Sequence, residues 1–180
     1  MMLDRQKGDT LIEVLMSMVV LSAVIIGATM IMSHGMLATQ AATEHTQVSY
    51  QASQQTEMLR YLRDGYIQSS TGTLGTSWLN MVNTYADTNS STFGSCAVSA
   101  GKNPFYLDPN DLANIVKSYS TASMPITSAT AGKGLWVEAT KSNNASPAYV
   151  DFQVQACWSG PGSSGQQTTI TTLRLYDPSR

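Results

Sequence analysis

The stretch that decides the fold is Lys7-Gly8-Asp9-Thr10-Leu11-Ile12-Glu13, followed by an apolar run from Val14 to Met32. A short leader holding Arg5 and Lys7 ends at a glycine, and one carboxylate, Glu13, stands at the mouth of the run. At helical rise the run covers about 28 Å, enough to cross a bilayer core with some tilt. A carboxylate beside such a segment costs roughly 2.5–3.5 kcal/mol at membrane depth, so it calls for a partner. Two ordinary explanations of the segment fit less well. A secretory signal has an apolar core of roughly 7–15 residues and a small-residue cut site. Ala38 to Ala42 could supply the small residues, but this core is longer and opens on Glu13. A plain single-pass anchor accounts for the length and leaves Gly8 and Glu13 without a reason.

These residues resemble the class III signal of type IV prepilins and their pseudopilin relatives. Gly8 matches the glycine before the family's cut, and Glu13 matches its glutamate five residues beyond. Thr10, Leu11, Ile12, Glu13, Val14 and Leu15 read as the T-L-I-E-V-L core. The match spans about thirty residues in a distinctive order; past residue 40 it is architectural only. The resemblance implies that a prepilin peptidase cuts between Gly8 and Asp9 on the cytoplasmic face and leaves the apolar segment on the mature chain. It implies a single-pass stay in the cytoplasmic membrane with the head outside, then export into a surface pilus through an assembly platform. Glu13 would act in assembly, paired with the new α-amino group of Asp9 on a neighbouring subunit, with Thr10 or a further cation helping to satisfy the site. The sequence departs from the family at Asp9, where phenylalanine or another apolar residue is usual. That departure bears on N-methylation of the new terminus more than on cleavage.

Composition agrees with export. Only 12% of residues are charged, against roughly 25% in typical soluble domains. Ser, Thr, Asn, Gln and Gly fill the surface instead, which suits a subunit packed against copies of itself. A net charge of -2 gives no electrostatic case for nucleic acid, and the ten lysines and arginines form no run. With the leader on the cytoplasmic side, Cys96 and Cys157 both fall outside the cytosol, where a disulfide can form and persist. Closing a loop of that length contributes on the order of 4 kcal/mol in the chain-entropy model. The alternative is two buried free thiols.

Beyond the apolar run, Gly35 to Asp64 holds no proline and no further glycine, which predicts one continuous helix from the cut to about residue 65. Ala41, Val48, Ala52, Leu59, Leu62 and Tyr66 recur in a 3–4 rhythm that also admits His45 and Gln55, giving one buried stripe. Arg60 with Asp64 and Glu57 with Arg60 stand at pairing distance on a helix, and Gly65 is the expected stop. Gly27 and Gly35 weaken the helix interior by roughly 0.5–1 kcal/mol each. They either permit local unwinding or, with Ser22, Ala23 and Ala28, offer a flat face to a neighbouring helix.

The domain division read from this pattern is a leader 1–8, an apolar helix 9–35, an amphipathic helix 36–68 and an extracytoplasmic head 69–180. In the head, Thr76 to Ala86 predicts a short helix with Trp78, Leu79, Val82 and Tyr85 on one side. Asp108-Pro109-Asn110-Asp111 predicts a second helix start, with Leu112, Ile115, Val116 and Tyr119 facing inward. After Gly132 the period changes to two. Leu135–Thr140, Tyr149–Trp158 and Thr168–Tyr176 read as strands, with turns at 142–147 and 159–167. Val150, Phe152, Val154 and Ala156 alternate with Asp151, Gln153 and Gln155, which predicts one buried face lying on the amphipathic half of the stem. The expected class is α+β: a long N-terminal helix on an antiparallel sheet of about three or more strands.

Catalytic chemistry finds little support, and no cofactor or metal is expected. The two histidines, His34 and His45, lie on the stem away from any nucleophile or carboxylate pair. Gly160-Pro161-Gly162 with Gly165 is a serine-glycine turn without the lysine-headed helix of a phosphate loop. Asp108, Asn110 and Asp111 could ligate calcium, but helix capping explains the same residues. Asn89-Ser90-Ser91 fits a glycosylation sequon of the kind that chance supplies in a serine-rich loop. Two readings from different classes remain. One is a structural subunit of a type IV pilus or pilus-like filament, serving adhesion, motility or uptake, or its secretion-pseudopilin relative. The other is a membrane-anchored extracytoplasmic binding module that never polymerises.

Overall fold

The computed structural model describes residues 9–89, 91, 96–119, 134–142, 148–160 and 165–179, the side chains of Asp9 and Thr10 apart. The leader, Ser90 of the sequon, residues 143–147 of the turn expected at 142–147 and residues 161–164 of that expected at 159–167 lie outside the described residues. The chain divides into two compact units, one ending at Thr43 and the other beginning at Glu44.

Helix α1 runs Asp9–Gln68, crossing from one unit into the other. Helix α2 follows at Thr73–Tyr85. The strands are β1 (Ala86–Asp87), β2 (Phe105–Leu107), β3 (Val116–Ser118), β4 (Gly134–Lys141), β5 (Tyr149–Ser159) and β6 (Gln166–Tyr176). They form one sheet in the order β3-β2-β4-β5-β6, with β1 added parallel to β4 and every other pairing antiparallel. The class is α+β, and the three strands read from alternation are β4, β5 and β6, each slightly longer than expected.

Within the second unit, the stripe on α1 does what its spacing dictates. Val48, Ala52, Leu59 and Leu62 are buried against Trp78, Met81 and Val82 of α2 and against Phe105, Val137, Phe152 and Val154 of the sheet. Each fully buried leucine contributes about 1.5–3 kcal/mol relative to exposure. Gln55 sits inside the stripe because its amide works as a strand edge. Its Nε2 donates to the Leu107 carbonyl and its Oε1 accepts from the Leu107 N–H, both at 2.8 Å. His45 stays exposed, with its ring edge-on to Trp158 at 5.9 Å.

Four expectations need correction. Gly65 does not stop α1, which continues to Gln68; a Cβ there would meet the Leu74 side chain at 2.6 Å, so this glycine serves close approach. Arg60 pairs with Glu57 at 2.9 Å, and Asp64 takes its neighbour Arg63 instead of Arg60. The helix expected after Asp108 is a single 3₁₀ turn, Leu112–Asn114, inside the β2–β3 hairpin. There Asp108 N donates to the Ile115 carbonyl at 2.8 Å, and the Asp108 and Asp111 side chains accept from Asn110 N and Asn114 N. Ile115 is buried and Leu112 exposed, because strand pairing rather than a helical face sets their directions. Lastly, β5 is buried on both faces: Gln153 and Gln155 are covered as well as Phe152 and Val154. The segment 96–104 lies over the outer face of β4, where Glu138 Oε1 accepts from Ser99 N at 2.9 Å and from Trp136 Nε1 at 3.1 Å. A turn at Ser99–Lys102 carries Gly101 at φ 77°, the left-handed conformation that glycine adopts without strain.

Candidate functional site

Among the described residues, the first unit is a single helical segment, the part of α1 up to Thr43. From Leu11 to Leu37 the large apolar side chains are 42–76% exposed. The helix is long and apolar enough to cross a membrane. Its hydroxyls are disposed of internally. Ser17 donates to the Val14 carbonyl, Ser22 to Met18, Thr29 to Ile26, Ser33 to Thr29, Thr39 to Gly35 and Thr43 to Thr39, at 2.7–2.9 Å. Back-bonding of this kind satisfies these six hydroxyls without water, which makes the surface compatible with lipid or with another apolar helix. A Cβ at Gly27 or Gly35 would meet nothing within 4 Å.

Glu13 lies in the second turn of α1, exposed, and forms no ion pair or hydrogen bond among the described residues. Asp9 and Thr10 open the same helix, so the three expected assembly residues fall within its first turns. Gly8 lies outside the described residues.

In the second unit, Cys96 and Cys157 are joined by a disulfide with Cα atoms 5.6 Å apart, tying the segment over β4 to β5. Lys102 fixes the same segment further along. Its ammonium, at 0% exposure, reaches Asp87 Oδ1 at 2.6 Å, Thr140 Oγ1 at 2.8 Å and the Ala139 carbonyl at 2.9 Å. On the surface, Lys117 holds the Asp111 carboxyl below its ordinary range, and Asp111 in turn raises the Lys117 ammonium. Arg174 grips Asp151 with two bonds and lies 4.0 Å over the Tyr149 ring. With Asp108 and Asp111 committed to turn and ion-pair bonds, the calcium alternative gains no support from their geometry. Lys102 and Glu138 carry no mark in the sequence, and the partner of Gln55 carries none either. Gln55 alone left a trace, as a polar residue at a buried position of a helical stripe.

These features place the weight on the N-terminal helix and its first turns. Residues 3–29 match the family model for the prokaryotic N-terminal methylation motif. The chain carries a class III prepilin signal. That finding is consistent with the type IV pilin-like family and agrees with the order of residues from Gly8 to Leu15. The motif covers the start of α1 and its apolar side chains as far as Thr29, and the head lies beyond it. Comparison with curated proteins and with solved structures finds no match for the chain.

Proposed function

We propose that this chain is a structural subunit of a type IV pilus or pilus-like filament, working by assembly rather than by catalysis. A prepilin peptidase cuts after Gly8, removing 1–8. Residues 9–35 then hold the subunit in the cytoplasmic membrane and later pack in the shared filament core. Residues 36–68 carry the head, 69–180, outside the cell. A membrane assembly platform moves subunits from lipid into the filament.

One observation carries this reading: a prepilin signal opens directly onto a helix whose large apolar side chains are exposed from Leu11 to Leu37, while the second unit buries a core built from α1, α2 and the sheet. Such a sheath needs an apolar environment, and a lone Glu13 within it needs a cation. A filament of identical subunits supplies the apolar surroundings and, in the new α-amino group of Asp9 on a neighbour, a first cation for a site that the Asp9 carboxylate leaves one charge short. An anchor that never polymerises requires the sheath but neither the cut nor the carboxylate.

Filaments sheared from the surface of the native host should contain this chain, and its N-terminal peptide should begin at Asp9. A terminus near Ala41 or Ala42 would indicate an ordinary secretory signal. A chain that begins at Asp9 yet stays wholly in the membrane fraction would favour the anchored module.

A further inference from the structure

We propose that in the assembled filament Glu13 of one subunit pairs with His34 of a second copy of this chain, staggering the two stems by three heptads. The proposal rests on the filament reading above.

From Leu11 to Thr43 the stem holds two ionisable side chains, Glu13 and His34. Both are exposed on a helix surrounded by uncovered apolar side chains, and neither has an ion pair among the described residues. They stand 21 positions apart, which is about 31 Å along a helix and about 60° around it. Three heptads return to the same face when packed helices supercoil, so the offset is one that two parallel stems can share.

Charge decides between the possible registers. Two copies packed level would set Glu13 against Glu13 in an apolar core, where like charges repel strongly. The α-amino group of a processed neighbour offers a cation, but Asp9 brings its own carboxylate to that amine. Amine, Asp9 and Glu13 together leave one negative charge unbalanced. A His34 imidazolium is the one side-chain cation the apolar part of the stem can supply. A copy displaced by 21 residues brings it level with Glu13. The same displacement sets Val14 beside Gly35, Met16 beside Leu37, Ser17 beside Ala38 and Val20 beside Ala41, all apolar or small partners. The open space around Gly35 leaves room for the Val14 side chain.

The test uses the full chain in the native host. His34→Lys keeps a cation and should yield sheared filaments within roughly twofold of wild type. His34→Glu sets carboxylate against carboxylate and should lower the yield by roughly tenfold or more. Both variants should still begin at Asp9, which separates assembly from processing. Equal yields from the two variants, high or low, would overturn the pairing. A second measurement reads the stagger directly. Filaments of the Ser17→Cys/Ala38→Cys variant should give a ladder of cross-linked subunits on non-reducing gels, and Ser17→Cys/Ile31→Cys, one heptad short, should not. A ladder from the second pair alone would overturn the pairing too. Wild-type cells without filaments containing this chain would overturn the filament reading itself.

Discussion

A lysine ammonium taken fully out of water needs an acceptor for each of its protons, and Lys102 has three. Those acceptors come from β1 and from the far end of β4, so the side chain pins the 96–104 segment across two strands. Lys102→Met keeps the stem of the side chain and removes the charge, leaving Asp87 Oδ1, the Ala139 carbonyl and Thr140 Oγ1 without their common donor. The expected loss is about 3 kcal/mol, seen as a melting temperature lower by about 6–12 °C in detergent solution. An unchanged melt would mean that water replaces the ammonium at little cost. Nothing in the sequence marks this residue. Lys102 follows Gly101 in a loop and reads like any solvated lysine, and its partners lie 15 to 38 positions away along the chain. Gln55 is more instructive. A polar residue at a buried helical position signals a backbone partner, but only the fold shows that the partner is Leu107. Asp111 shows the opposite case. Its carboxyl is held low by Lys117, so whatever this exposed pair contributes is present above the ordinary carboxylate range and lost as pH falls through the lowered value.

Elements were legible in proportion to their length. β4, β5 and β6, of 8, 11 and 11 residues, announce themselves by alternation, and α1 and α2 by their 3–4 rhythm. β1, β2 and β3 have two or three residues each, too few to establish a period. Asp108-Pro109-Asn110-Asp111 misled because capping residues and turn residues are the same residues. Here the hairpin register of β2 with β3 decides, and a helix could not have kept it. The disulfide was expected from compartment alone, yet its mechanical sense comes from the fold. Cys96 lies on the covering segment and Cys157 on β5, so the bond holds that cover over Glu138 and Trp136. Replacing both cysteines by alanine should lower unfolding stability by up to about 4 kcal/mol, read as a drop in denaturant midpoint. The full loss requires a denatured chain without residual structure around the former loop. A midpoint equal to wild type would show that Lys102 and the Glu138–Ser99 bond hold the cover unaided.

At the scale of the whole molecule the two units obey different rules. Among the described residues every buried hydrophobic one lies at or beyond Val48, and the run of exposed large hydrophobics from Leu11 to Leu37 lies in the other unit. The sequence announced this split through the greasy and amphipathic halves of one helix. It could not say that Gln153 and Gln155 would be covered, since alternation assigns such polar positions to the solvent face. The division predicts separability. A chain reduced to residues 44–180 keeps the whole buried core, the disulfide and the Lys102 site while shedding the entire apolar sheath. Its α1 remnant loses no helical packing partner, because the stripe from Val48 to Leu62 stays on α2 and the sheet. The fragment should therefore be monomeric in water without detergent and melt in one cooperative transition, whereas the processed chain should require detergent or a filament to stay dispersed. Light scattering and calorimetry on the two proteins check this. A fragment that aggregates or melts without cooperativity would mean that the first half of the stem is needed to fold the head. Assembly and folding would then be coupled, and the exposed sheath could no longer be read as a surface kept free for neighbouring copies.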